Sequence, residues 1–446
     1  GYTKSQNNGM WSPDHKDFSP RFGFAFRPLD SSKLVLRGGY GIYYQQLSGE
    51  LAEQVVGAPP FSLTQALQGS LNSAATFQQP YNPQLPPDSS FPIFIPRTPT
   101  SALTVPSISQ SITSPYNQQY DFNIQYEFAK DFLWQLGYVG SKGTHLTGCV
   151  EFNQALIATP QNPVNGQTTT TVENLGQRLP FQGISGGATY DCQTTFDSSY
   201  NSLQTTVVKR LSNGLNFQAS YTFSKNLDYT SGTGGLPSLD LDFISNDQNN
   251  PRQARGLDNS DRQHRFVLSF VYAPPKLTNG PRVVRSVFSQ WQFSGDAVMQ
   301  SGLPVTVTDS SAGSVYGNLT GFSRAECTDA DPASSGSMSS RLNGYFNPAA
   351  FAPPPTIGDG TGFGDCGVGL LRGPRQMNLD LGIQRLFTVT EKTNLEFRSE
   401  FFNFTNTPHF GLPNNDFAGG GNPAFGLITQ TVSNPRIIQF ALKYNF

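Results

Sequence analysis

The sequence predicts an all-β fold, an antiparallel transmembrane barrel, on three observations. Apolar residues recur at every second position in paired segments; turns are short within pairs and loops long between them; no apolar run of 18 residues could form a membrane helix. The pattern is plainest in the last segment. There Ile438, Phe440, Leu442, Tyr444 and Phe446 share one face, and Ile437, Gln439, Ala441, Lys443 and Asn445 the other. Such a stretch suits a half-buried strand of a soluble sheet, or a barrel strand with lipid outside and water inside. The remaining segments decide between the two.

In chain order, Phe22, Phe24 and Phe26 alternate, Pro28 to Lys33 turn, and Leu34, Leu36, Tyr40, Ile42 and Tyr44 alternate again. Tyr120 to Phe128 and Phe132 to Tyr138 form the next pair around Ala129-Lys130-Asp131. Leu203, Thr205 and Val207 lead through Asn213-Gly214 to Leu215, Phe217, Ala219, Tyr221 and Phe223. Asn-Gly tolerates the positive φ of a primed hairpin turn, which makes this turn a strong signal. Phe266 to Tyr272 pair with Trp291 to Met299 across a longer connection carrying Pro274-Pro275. Met377 to Ile383 pair with Leu395 to Phe401 across Thr388 to Thr393, and the last segment stands alone. Five pairs plus one make about eleven strands. Their opposite faces read Asn123, Gln125 and Glu127, then Gln218, Ser220 and Thr222, then Glu396, Arg398 and Glu400. A soluble core rarely leaves one face so consistently polar.

The segments 46–118, 143–198, 226–263, 302–375 and 405–435 are long and rich in Gly, Pro, Asn, Ser and Thr. Loops of this length are unusual in a compact soluble domain. Short periplasmic turns with long extracellular loops are the habit of outer-membrane barrels. An odd strand number ending in the periplasm has its first strand starting outside, and residues 1–17 read as the tail of an external loop. Single-chain bacterial barrels have even counts, so the chain is expected to be a fragment or a processed product. Gly1-Tyr2-Thr3-Lys4 shows no signal peptide, so targeting carries no information here.

Bulk properties agree. Of 446 residues, 13% are charged, against roughly 25% in ordinary globular domains, and the formal charge is −2. With no basic surplus, nucleic acid is not expected as a partner. The mean hydropathy of −0.36 excludes a helical membrane protein but not a barrel, whose strands hide their apolar residues in alternate positions.

Cys149 and Cys192 fall in one predicted external loop, and Cys327 and Cys366 in another. Four cysteines allow three connectivities, and the strand map favours pairing within loops; four free thiols is the alternative. No C-x-x-C or Cys/His cluster points to zinc. Asp240, Asp242, Asp247, Asp258 and Asp261 crowd the 226–263 loop, where calcium ligation competes with plain solvation, and the spacing is not that of an EF-hand. Asp380, Gln384, Glu396, Arg398 and Glu400 are candidate lumen-facing residues, able to meet a ligand or simply to pair across strands. His15, His145, His264 and His409 are scattered, and His264 reads as a strand-end polar group. Gly419-Gly420-Gly421 lacks the Lys-Ser/Thr of a phosphate loop. Tyr43, Tyr44, Tyr138, Tyr272, Trp134 and Trp291 fit an interfacial aromatic girdle or ordinary sheet packing. No residue reads as a catalyst and no cofactor is expected.

The chain resembles the barrel of Oar-like TonB-dependent outer-membrane receptors. The resemblance lies in Arg21 to Pro28 followed by Leu36 to Tyr44, in Tyr200 to Gln204 with Ala219 to Lys225, and in Asp261 to Phe266. It continues through Trp291 to Pro304, Tyr345 to Pro348 and Phe401 to Thr407. It implies an outer-membrane protein whose whole barrel has 22 strands and a plugged lumen, this chain being the C-terminal half. The family's plug, TonB box and N-terminal carboxypeptidase-regulatory-like domain are not found in the sequence. Implied partners are outer-membrane lipid, the TonB complex through the N-terminal part, and a scarce small ligand (glycan, peptide or metal chelate). The resemblance also implies that Phe440, Leu442, Tyr444 and Phe446 form the signal read by the barrel-assembly machinery. Two rival functions remain: a barrel for adhesion or export, and a secreted β-sandwich binding module.

Overall fold

The computed structural model describes residues 14–28, 33–47, 49–57, 105–184, 189–229, 243–279, 281–313, 323–354, 356–357, 360–361, 363–390 and 393–446. Eleven strands follow one another across a single antiparallel sheet in sequence order. They are β1 (Arg21–Phe26), β2 (Leu34–Tyr44), β3 (Tyr116–Ala129), β4 (Phe132–Glu151), β5 (Tyr190–Ser212) and β6 (Leu215–Asp228). Then come β7 (His264–Tyr272), β8 (Trp291–Gln300), β9 (Gln376–Thr388), β10 (Asn394–Phe402) and β11 (Ile437–Asn445). Two short strands, Ser107–Ile108 and Gly256–Leu257, attach to β5 and β6 and bring the sheet to thirteen. The expected eleven-strand meander is therefore present.

The pairing register turns the alternation into two coherent faces. Phe24, Gly38, Phe122, Tyr138, Leu203 and Phe223 lie side by side across six strands. Phe24, Phe122, Tyr138, Leu203 and Phe223 are all exposed, as are Phe293, Met299, Met377, Phe440, Leu442 and Tyr444 further along. A soluble monomer rarely exposes an apolar patch beyond a few hundred Å², whereas this one spans the sheet. Hydrocarbon removes the penalty, since lipid tails are as apolar as the side chains themselves. The apolar rows of β2, β6 and β8 have about the nine to eleven residues a tilted strand needs to cross a bilayer. On β4 the run ends at Lys142, beside Gln118; on β6 it ends at Lys225, beside Asn201.

The tight turns follow from local chemistry. Asn213 and Gly214 both take positive φ, 50° and 78°, as a primed turn demands. A Cβ on Gly214 would also stand 1.9 Å from the Ala273 carbonyl oxygen, so close backbone approach requires glycine a second time. Lys130-Asp131 closes the β3–β4 hairpin with Asp131 at φ 66°. The β7–β8 connection is longer and carries the helix Arg282–Phe288, which the alternating pattern does not announce.

The sheet is open. Among the described residues β1 pairs only with β2 and β11 only with β10, and every residue of β1 is exposed. Most buried apolar side chains lie instead in the long connections and in the distal ends of β4 and β5. Leu51 and Val55 of the helix Gly49–Val56 pack with Ile108, Ile112, Tyr190, Phe243 and the Cys149–Cys192 pair. Val305, Val307, Tyr345, Phe346, Phe351 and Phe417 form a second core from the 301–375 and 403–436 connections. The external loops are thus a folded cap on one end of the sheet.

Two expectations need correction. The 143–198 segment is not all loop: β4 runs on to Glu151 and β5 begins at Tyr190, giving strands of 20 and 23 residues. At about 3.3 Å per residue they overshoot the membrane and rise into the cap. Cys149 and Cys192 face each other across these extensions. Second, Tyr43 cannot share a girdle with Tyr44, because neighbours on a strand point to opposite faces. Tyr44, Trp134, Tyr138, Tyr272 and Trp291 lie on the apolar face, while Tyr43 stands opposite Asn117 with the Arg21 guanidinium 4.7 Å from its ring centre.

Candidate functional site at the sheet–cap junction

In a barrel of this kind the polar face lines the interior. Asp380 and Gln384 of β9 lie on that face, opposite Asp296 and Gln292 of β8. Glu396, Arg398 and Glu400 of β10 lie on it too, Arg398 facing Gln384. Arg398 reaches Glu396 at 2.8 Å and Glu400 at 3.8 Å with its side chain 46% exposed, so these pairs organise the surface more than they stabilise the fold.

Of this set, Asp380 lines a recess among the described residues. A recess of about 510 Å³ opens on the polar face where β8, β9 and β10 meet the 403–436 connection. Gln300, Gln376, Asn378, Asp380, Asn403, His409, Ser433 and Asn434 supply its polar lining, and Val298, Phe402 and Ile437 part of its apolar side. Asn403 anchors it. Its left-handed backbone (φ 49°) turns the chain out of β10, and its N–H donates to Asp380 Oδ1 at 2.7 Å. Its side chain accepts from Thr407 N–H at 2.9 Å and donates to the Asn434 carbonyl at 3.2 Å. Buried His409 donates from Nε2 to the Met377 carbonyl at 2.7 Å. Gln300 Nε2 donates to Gln376 Oε1 at 2.7 Å. Ser433 Oγ is buried without a hydrogen-bond partner among the described residues. Donors and acceptors stand ready here for a polar ligand. The strand alternation marked Asp380, but His409, Asn403 and Ser433 come from loop sequence that carries no periodic signal.

The other predicted groups have structural roles. Cys149 is bonded to Cys192 across the extensions of β4 and β5, and Cys327 to Cys366 within the 301–375 connection. Among the described residues, the one metal-like trio is Cys327, Asp365 and Cys366, and its two sulfurs are joined in that disulfide. Asp247 accepts from Gln154 at 2.8 Å and Asp258 from Ser260 N–H at 2.7 Å. Asp261 is not solvated as expected: it is buried, paired with Arg372, and accepts from Asn226 N–H at 2.7 Å. Asp240 and Asp242 lie outside the described residues. His264 accepts or donates at Nδ1 to the Tyr221 hydroxyl at 2.7 Å, a strand-end polar role.

Within the cap, Asn246 latches two connections together. Its Oδ1 accepts from Ser323 Oγ and Arg324 N–H at 3.0 and 3.2 Å, and its Nδ2 donates to the Gly364 carbonyl at 3.0 Å. Burial pushes the neighbouring Arg324 guanidinium down to about 10, with Asp365 opposing the shift. Arg178, fully buried, ties its own loop by donating to Asn174, Leu156 and Thr171 at 2.7, 2.7 and 2.8 Å.

An exposed apolar sheet face with a polar opposite face and a folded cap defines an outer-membrane β-barrel protein. Residues 1–439 match the family model described as the outer membrane beta barrel domain, and the chain belongs to that family. A secreted β-sandwich is thereby excluded, and the protein is one of the outer membrane. No curated protein matches the chain in sequence. Solved structures are similar to the chain at low identity. The outer membrane transporter YddB from Escherichia coli matches with TM-score 0.48 and 9% identity, over 96% of this chain and 40% of that one. The ferripyoverdine receptor of the outer membrane of Pseudomonas aeruginosa, bound to ferripyoverdine, matches at 0.41 and 10%, over 96% and 32%. BauA, the ferric preacinetobactin receptor from Acinetobacter baumannii, matches at 0.38 and 10%, over 96% and 36%. The chain spans about a third to two-fifths of the length of these proteins.

Proposed function

We propose that the chain is the C-terminal part of a TonB-dependent receptor barrel that takes up a scarce ligand across the outer membrane. The observation that carries this reading is the polar recess beneath the cap, open toward the interior and lined by side-chain amides, Asp380 and His409. A receptor needs such a first station, where a ligand arriving through the cap exchanges water for fixed hydrogen bonds. The open edges of β1 and β11 support a larger closed barrel, since an unpaired edge in lipid leaves backbone groups unsatisfied at several kcal/mol each. The rest of the protein would supply those partner strands and the plug that TonB pulls. With five amides and one carboxylate and no Lys or Arg in its lining, the recess suits a hydroxyl- or amide-rich ligand better than an anionic metal chelate.

Uptake of labelled oligosaccharide and peptide pools and of ferric chelates by cells carrying the intact protein, with and without TonB, tests this. The expected result is accumulation of a glycan or peptide that stops when TonB is removed and falls with Asp380→Ala. Cell-surface binding without internalisation would point to the adhesion alternative. Accumulation indifferent to TonB would overturn energised uptake, and a preference for the chelates would overturn the ligand class.

A further inference from the structure

Among the described residues, the connection between β7 and β8 is the one turn-side connection with a helix, and it folds against the apolar face of the sheet. Trp291 Nε1 donates to the Val287 carbonyl at 2.8 Å, fastening the helix Arg282–Phe288 to the first residue of β8. Two recesses result. One, of about 450 Å³, is lined by apolar groups, among them Phe288, Trp291, Phe293 and Ile383. The other, of about 440 Å³, carries Lys276, Arg285 and Arg385 with no acidic residue in its lining. Arg385 stands directly opposite Trp291 on the apolar face, its guanidinium carbon 5.2 Å from the Trp291 ring and 4.2 Å from that of Phe387.

A cation on the lipid-facing side is tolerated only near the interface, where headgroups begin. The turn side is the periplasmic one for barrels of this family. A basic recess beside an apolar one at that height has the shape and charge of a phospholipid's two ends. We propose that this is a binding site for an anionic phospholipid of the periplasmic-side leaflet. Its phosphate sits among Lys276, Arg285 and Arg385, and an acyl chain lies along Phe288, Trp291 and Ile383. The helix, with Val284, Val287 and Phe288 exposed, then rests in the interface as an anchor. Lys276 and Arg285 are exposed, so they are free to meet a headgroup without unfolding the connection.

The test uses the intact protein, extracted from the outer membrane in mild detergent, freed of lipid and titrated with short-chain phosphatidylglycerol or phosphatidylcholine. Native mass spectrometry reads bound lipid, and melting temperature reads stabilisation. Phosphatidylglycerol is expected to bind more tightly and to raise the melting temperature more. The Lys276→Gln, Arg285→Gln double variant is expected to weaken phosphatidylglycerol by about ten-fold or more, on the rule for basic groups at an anionic surface. It should leave phosphatidylcholine unchanged, while Phe288→Ser weakens both lipids. Glycerol phosphate should give no stabilisation. Equal binding of the two lipids by the unaltered protein would overturn the proposal. So would undiminished phosphatidylglycerol binding by the double variant, and stabilisation by glycerol phosphate equal to that by phosphatidylglycerol would assign the site to free phosphate instead.

Discussion

Single residues decide two features of this molecule, one at each end of the sheet. Gly214 holds φ 78° while its absent Cβ makes room for the Ala273 carbonyl, and Ala273 N–H donates to the Gly214 carbonyl at 2.8 Å. Gly214→Val adds a left-handed penalty of roughly 1–2 kcal/mol and a steric clash that only backbone movement relieves. Assembled barrel, scored by heat-modifiable gel migration, is expected to fall sharply, whereas Asn213→Gly should assemble normally because glycine accepts φ 50°. In the cap, Asn246→Ala would strand the Gly364 carbonyl and Arg324 N–H, at about 1–3 kcal/mol for each buried group left unmade, while Ser323 Oγ keeps the Arg324 carbonyl and Gly364 N–H. Arg324 makes this corner intolerant of loss. Its folded pKa of about 10 lies below the unfolded value, so its buried charge destabilises the cap at neutral pH, and that penalty fades only as pH rises past 10. Limited proteolysis of Asn246→Ala should therefore cut within 243–261 and 323–366 while the strands stay protected. An unchanged cleavage pattern would show that the latch is dispensable.

At the scale of elements, period two exposes a strand only where the two faces meet different solvents. That holds inside the membrane, which is why Leu215, Phe217, Ala219, Tyr221 and Phe223 were readable as one lipid-facing row. It fails for the distal halves of β4 and β5, where Cys149, Tyr190 and Cys192 enter one buried cluster of the cap, Leu146, Val150 and Phe196 pack in another, and register shifts interrupt the alternation. The cap itself is unreadable for a further reason: Val307, Phe346 and Phe417 pack together from far apart in sequence. Within that cap the Cys149–Cys192 bond joins directly opposed residues with Cα atoms 4.1 Å apart and a separation of 43 residues. Closing a loop of that size stabilises by about 4 kcal/mol at most in the chain-entropy account. Cys149→Ser with Cys192→Ser is expected to expose the 152–189 connection to protease without changing barrel assembly. Loss of the barrel as well would mean that the two strand extensions fold before the membrane segment does.

At the scale of the whole molecule, the last strand is where sequence and structure meet most closely. β11 pairs with β10 from Phe402–Ile437 to Asn394–Asn445, and among the described residues its outer edge has no partner strand. Phe440, Leu442 and Tyr444 are exposed on the apolar face, and Phe446 lies beyond the last pair, 97% exposed, with its ring 6.1 Å from that of Tyr444. Alternation was enough to place these four residues, whereas the recess around Asp380 needed three strands and a loop to converge. Because Phe446 is packed against so little of the protein, removing it takes away little folding energy: the apolar area concerned is already outside the core. A purely structural role therefore predicts near-normal amounts of barrel after Phe446 is deleted or changed to Ala. Recognition by the assembly machinery, as the resemblance implies, predicts instead a several-fold fall in assembled outer-membrane protein, with recovery in Phe446→Tyr. The molecules that do assemble should bind ligand as before, since the recess lies at the opposite end of the strands. Normal outer-membrane levels of the deletion would refute the signal, and weakened ligand binding by the assembled fraction would place Phe446 in the stability of the barrel itself.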